Sequence, residues 1–144
     1  MNKIKVFIDT SALAKMLSDE DDPVLFSDEM LEKVEYIVNP IVFQELLFIV
    51  GETDKKEKLG SIGQHFNIIP VKSQGTSSAF RKKLGKFRNY GIHSNDVLIL
   101  GTAKEAECDY LLTYDKKLIH AAQEESFSVT TPHHFLELID KEAA

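Results

Sequence analysis

Polar and apolar positions change period several times along this chain. "IKVFID", Ile4 to Asp9, alternates and is rich in β-branched and aromatic residues, which predicts a strand ending at Asp9. "TSALAKMLS" then has helical spacing, with Thr10 or Ser11 near its N-cap. After the polar break "SDEDD", the stretch "DPVLFSDEMLEKV" predicts a helix capped by Asp22 with Pro23 at its first position. "EYIVN" predicts a second strand. Pro40 and Gly51 then bracket a helix, one suited to its first turn and the other to its end. "TDKKEKLGSIGQHF" predicts a further helix weakened by Gly60 and Gly63. "NIIPV" predicts a third strand near a sheet edge, because Pro70 cannot donate to a ladder. Ser77 to Tyr90 predicts a helix closed by Gly91, and Ser94 caps another running to about Glu107. "DYLLTY", "DKKLIHAAQEE", "SFSVTT" and "PHHFLELIDK" complete the pattern as strand, helix, strand and helix. Strands alternating with helices, without a hairpin signal, predict crossover connections and a mainly parallel sheet of about five strands. In such sheets functional sites gather beyond the carboxyl ends of the strands.

One helix carries an anomaly. Between Pro40 and Gly51, the residues Ile41, Val42, Phe43, Leu46, Leu47, Phe48, Ile49 and Val50 leave almost no polar face. A helix apolar all round is expected to be buried, yet Glu45 stands in its middle. Its neighbours one turn away, Ile41, Val42, Phe48 and Ile49, include no cation. An unpaired buried carboxylate is costly and shifts toward its neutral form. A distant Arg or Lys would relieve it, and so would a cation shared with other acids.

Three other acids fall where strands end and helices begin. Asp9 closes the first strand, Asp115 follows the fourth, and Asp96 lies in the first turn of the helix from Ser94. Taken singly, each is explained by helix capping and the helix dipole. Gathered at one sheet end with Glu45 they would require a counter-ion, since two carboxylates about 5 Å apart repel by roughly 3 kcal/mol at an effective dielectric of 20. All-oxygen ligands favour Mg²⁺ or Mn²⁺ over zinc, and the five histidines form no zinc pattern. A site of that kind clamps phosphate oxygens, acidifies water and steadies the leaving oxygen of an in-line displacement.

Composition changes this picture little and charge changes it more. With 144 residues, 43% of them apolar, a single domain over 1–144 is expected. Cys108 is the only cysteine, so no internal disulfide forms, and its apolar helical setting predicts a core residue. No apolar run approaches the ~20 residues of a membrane span. The N-terminal sequence runs straight into a strand with no signal peptide pattern, so a cytoplasmic protein is expected. The net charge is −6, but from Lys58 to Asn95 there is no Asp or Glu, and seven lysines and arginines give that segment +7 against −13 for the rest. Such asymmetry suits either a solvated helix face or a phosphate-tracking patch beside an acidic centre.

"VFIDTSALAK", "FQELL", "SNDVLILGTA" and "YLLTYDKKL" follow the order and spacing of a PIN domain, and the chain resembles that family from Ile4 to about Thr131. It is most similar to single-domain members of the toxin type, the ribonuclease half of VapBC-like toxin–antitoxin pairs. The resemblance implies a three-layer α/β/α sandwich and Mg²⁺- or Mn²⁺-dependent cleavage of RNA. It implies that Asp9, Glu45, Asp96 and Asp115 form the acidic metal-binding and catalytic quartet. Ser11 and Thr113 match polar positions beside the first and last acids, where they would bond a carboxylate or water, or serve only capping and strand-end polarity. The resemblance also implies a homodimer and a small antitoxin partner, with a housekeeping RNA-processing enzyme or a silent binding module as alternatives. The turn before Glu45 is more apolar than in the family pattern. Arg81, Lys82, Lys83, Lys86 and Arg88 are candidates to guide RNA as a stripe along one helix, with Tyr90 at its end as a stacking platform. An aspartyl-phosphate mechanism is disfavoured, because Asp9 is followed by Thr10 and Ser11 and the D-x-D pair is missing.

Overall fold

The computed structural model describes residues 2–18, 24–51, 57, 60, 63–70, 86, 88–89, 91 and 94–143. Strand β1 spans Ile4–Ile8, and helix α1 spans Thr10–Ser18. A 3-10 turn over Val24–Phe26 leads into α2, Asp28–Lys33, and β2, Val34–Val38. Then come α3, Pro40–Val50, and β3, Phe66–Ile68. The C-terminal half supplies α4, Ser94–Glu105; β4, Tyr110–Leu112; α5, Lys116–Glu124; β5, Val129–Thr130; and α6, Pro132–Ala143.

The five strands form one parallel sheet in the order β3-β2-β1-β4-β5. This is the parallel sheet flanked by helices that the pattern of positions and the resemblance predict, and β3 lies at an edge as expected, although it ends at Ile68 and Pro70 falls beyond it. Central β1 buries Val6, Phe7 and Ile8 completely, as a strand covered on both faces must. Register aligns Val6 with Tyr36 on one side and with Tyr110 on the other. The chain builds outward from β1 through β2 to β3, then crosses back to place β4 on β1's other side. The switch point therefore lies between β1 and β4, where a crevice opens beyond the strand ends.

Beside β2 the core is aromatic. Phe26 meets Tyr36 and Phe66 edge-on at 5.0 and 5.4 Å between ring centroids. The buried Tyr36 hydroxyl donates to the Leu25 carbonyl at 2.6 Å, so no polar atom is stranded there. Cys108 is buried as expected, and burial pushes its thiol up to about 12.

Two local expectations are corrected. The helix predicted from Asp22 is instead the 3-10 turn followed by α2, because Ser27 adopts an extended backbone and its hydroxyl accepts the Met30 N–H. Ser27 is thus the N-cap, while Asp22 and Pro23 lie outside the described residues. Helix α3 runs from Pro40 to Val50 with Gly51 as its C-cap, as predicted, but it is not buried all round. It hides Val42, Leu46 and Val50, whereas Leu47, Phe48 and Ile49 are 46%, 88% and 57% exposed. Most of the helix predicted over 53–66 and of the basic helix over 77–90 lies outside the described residues.

Candidate active site

β1 and β4 deliver the centre. Asp9 follows the last residue of β1 and is 4% exposed. Its N–H donates to the Leu112 carbonyl on β4, and its carbonyl accepts the Leu13 N–H, so strand pairing on one side and helix α1 on the other fix its backbone. The Thr113 hydroxyl donates to Asp9 Oδ2 at 2.7 Å and the Ser11 hydroxyl donates to the same oxygen at 3.0 Å. Each hydroxyl oxygen in turn accepts a backbone N–H, Thr113 from Asp115 and Ser11 from Tyr114, both at 3.0 Å. The two hydroxyl oxygens are 3.1 Å apart. Ser11 and Thr113 thus both bond the first acid through one carboxylate oxygen.

The Asp9 carboxyl is held above its ordinary value. Burial is the main cause, and the nearby charge of Asp115 adds to it. The hydroxyls of Thr113 and Ser11 and the Thr10 backbone pull the other way without prevailing. Asp115 caps α5, and its Oδ1 accepts the N–H groups of Lys117 and Leu118 at 2.9 and 3.4 Å. Capping occupies one oxygen and leaves the carboxylate close enough to act on Asp9.

Glu45 answers its anomaly differently from the buried-helix expectation. It is half-buried, not enclosed, and its Oε1 accepts the hydroxyl of Thr10, the residue after Asp9, at 3.2 Å. It also lines an open cleft of about 450 Å³ with Ile41, Gln44, Phe48, Ile49 and Asn95. Asp96 is half-buried in the first turn of α4, next to that Asn95. The charge of Asp115 therefore acts on Asp9, Glu45 is joined to Asp9's neighbour, and Asp96 follows a residue that lines the cleft. Among the described residues, no three His, Cys, Asp or Glu side chains close into a metal-binding group. Lys86 pairs with Glu125 at 3.5 Å, at the end of α5 opposite Asp115. Arg88 is exposed, and Arg81, Lys82, Lys83 and Tyr90 lie outside the described residues.

Three features escape the sequence reading. Thr10 is one, since its role depends on where α3 docks. A second is the buried Asn39, whose side-chain oxygen accepts the Val42 N–H while its amide donates to Thr102 on α4, both at 3.0 Å. That bond holds the start of the Glu45 helix against the Asp96 helix. Its position before Pro40 is an N-cap signal that was legible. The third is Lys15, whose ammonium lies 4.4 Å from the centroid of the Tyr114 ring.

Residues 6–124 match the family model of the PIN domain. No curated protein matches the chain in sequence. Among solved structures, VapBC2 from Rickettsia felis bound to a DNA fragment from their promoter is similar with a TM-score of 0.66. The identity is 18%, over 89% of this chain and 98% of that one, a likeness of fold. The PIN domain endonuclease Utp24 gives a TM-score of 0.48 and 19% identity, over 79% of this chain and 73% of that one.

Proposed function

The chain belongs to the PIN-domain family, and from that premise we propose that it is an endoribonuclease that uses Mg²⁺ or Mn²⁺ to hydrolyse RNA phosphodiester bonds, as the toxin of a VapBC-like pair. The observation that carries this proposal is the Asp9 carboxylate, buried at the β1/β4 switch point with Asp115 raising its affinity for a proton. Burying one acid beside another works against stability, and a cation joining them turns that cost into affinity. The donor chemistry fits a hard divalent ion. Mg²⁺ is commonly held by one or two carboxylates, keeping several waters for substrate oxygens to replace. Asp9 and Asp115 would hold it directly, with Glu45 and Asp96 acting through water.

When bound, such an ion polarises the phosphate and makes water acidic enough to supply a nucleophile near neutral pH. The chain's own groups prepare that step. Thr113 and Ser11 fix the Asp9 carboxylate, and the α5 N-terminus fixes that of Asp115. We assign Glu45, oriented by Thr10 and open to the cleft, the role of accepting the proton from the attacking water.

Partners follow from the same proposal. The outward Leu47, Phe48 and Ile49 of α3 support pairing of two copies, since an apolar patch of that kind is a common association surface. A structural neighbour that is itself a VapBC2 assembly supports a small antitoxin as the regulatory partner. No described helix is long and apolar enough to cross a membrane.

The test is cleavage of a mixed RNA pool with Mn²⁺, with Mg²⁺ and with EDTA, alongside the Asp9→Asn variant. The expected result is metal-dependent cutting that the variant loses. A folded protein that binds metal and leaves every RNA intact would overturn the nuclease and favour the silent binding module. Growth arrest on expression, relieved by a neighbouring reading frame, separates a toxin from a housekeeping enzyme.

A further inference from the structure

An all-carboxylate floor repels the phosphodiester it is meant to cut, so a polyanionic substrate needs cations beside the acids. Of the expected cation stripe, the described Lys86 sits on Glu125 at the far end of α5 from Asp115. Another cation lies closer. Ser11 and Lys15 are one turn apart on α1 and so share a face. That face looks onto the β4–α5 connection, since the Tyr114 N–H donates to Ser11 Oγ, which donates to Asp9. Further out along it, the Lys15 ammonium sits over the Tyr114 ring, 4.4 Å from its centroid. Tyr114 stands between Thr113, which bonds Asp9, and Asp115, which caps α5. Lys15 is therefore a cation seated at the rim of the acidic centre, on a ring whose backbone belongs to the centre's own hydrogen-bond network.

We propose that Lys15, seated on Tyr114, is a substrate-positioning residue that binds a non-bridging oxygen of the RNA phosphate adjoining the one to be cut. The ring face restrains a side chain that is otherwise flexible, so the ammonium meets the backbone in a fixed place. A second observation points the same way. Lys116 and Lys117 occupy the first turn of α5, are exposed, and oppose the helix dipole that favours acids there. Local helix stability does not account for two cations at that end, whereas an anionic strand passing over Asp115 does.

The inference rests on the nuclease proposal, and its test separates the two. Binding of a short fluorescein-labelled single-stranded RNA is followed by anisotropy in Ca²⁺ across a salt series, and cleavage is followed in Mn²⁺. Lys15→Gln is expected to raise KM about tenfold with a smaller change in kcat. It is also expected to reduce the slope of log affinity against log salt by about 0.7, the share of one phosphate contact on a single strand. Lys15→Arg restores much of the affinity, and Tyr114→Leu weakens it in the manner of Lys15→Gln. Lys33→Gln, which removes a half-buried lysine paired with Glu29 on α2, leaves both readings unchanged. Thermal melts confirm that each variant folds. A Lys15→Gln protein that matches Lys33→Gln in KM and salt slope overturns the proposal while the nuclease stands. RNA binding with a Lys15-dependent salt slope, but without cleavage by the wild type, supports the contact while the nuclease fails. A wild type that does not bind the RNA overturns it.

Discussion

At Asp9, burial and hydrogen bonding pull in opposite directions, and burial wins. The folded chain holds this proton more tightly than the unfolded chain does, whose carboxyl titrates near its ordinary value of 3.8. The sign follows from proton counting. Between the unfolded and the raised folded pKa the native state binds more protons, so stability is fullest below that window and falls as pH rises through it. In EDTA at neutral pH, Asp9→Asn is therefore expected to have a higher urea midpoint than wild type, with the gap closing as pH drops below the window. Urea melts across pH measure it, and a gap of the same size at every pH would refute the account. The acids at positions 9, 96 and 115 were legible because each stands where a strand ends or a helix starts. The environment of Asp9 was not. The two hydroxyls that share Oδ2 come from positions 11 and 113, and only the β1–β4 register brings them together.

Helix α3 shows how far a pattern reaches at the scale of an element. Pro40 and Gly51 marked its ends correctly, and Gly51 adopts φ +53° where a glycine carries no Cβ penalty. Which side faces inward was illegible, because eight apolar residues give no contrast between faces. Packing against α1 and α4 hides Val42, Leu46 and Val50, and leaves Leu47, Phe48 and Ile49 outside. If two copies pair there, Phe48→Asp should abolish concentration-dependent association in sedimentation while changing monomer stability by no more than about 0.5 kcal/mol, as for an ordinary surface site. The helix start carries a different expectation. Asn39→Ala removes the cap of α3, strands a buried Val42 N–H and cuts the link to Thr102. A loss of about 2–3 kcal/mol is expected by chemical denaturation, and Asn39→Ser, which keeps a capping oxygen, should lose less.

For the whole molecule, alternation of strands and helices was sufficient to predict the parallel sheet, and Asp9 and Asp115 follow the carboxyl ends of β1 and β4 as their order along the chain predicts. Their closeness was harder to read. The structure couples Asp9 to Asp115 and ties Glu45 to Thr10, yet draws no three carboxylates around one point among the described residues. Spacing along a sequence says which end of a sheet an acid reaches, not how far its side chain extends. A divalent ion that completes the centre should therefore stabilise the entire fold by mass action. Mn²⁺ at about a hundred times its Kd should add about 2.7 kcal/mol, reversed by EDTA and lost in Asp9→Asn. Thermal melts against Mn²⁺ concentration measure it.

The hydrogen bond between Asp9 and Thr113 spans 104 positions of sequence. During synthesis, Asp9 leaves the ribosome well ahead of Thr113, and β1 can pair with β2 long before β4 exists. Ser11 is there at once, but neither the Thr113 hydroxyl nor the acid that shares the field of Asp9 is present until Asp115 has emerged. A nascent chain that stops short of β4 carries half of this hydrogen-bond network and nothing to complete it, so whatever the Asp9 centre does belongs to finished copies alone.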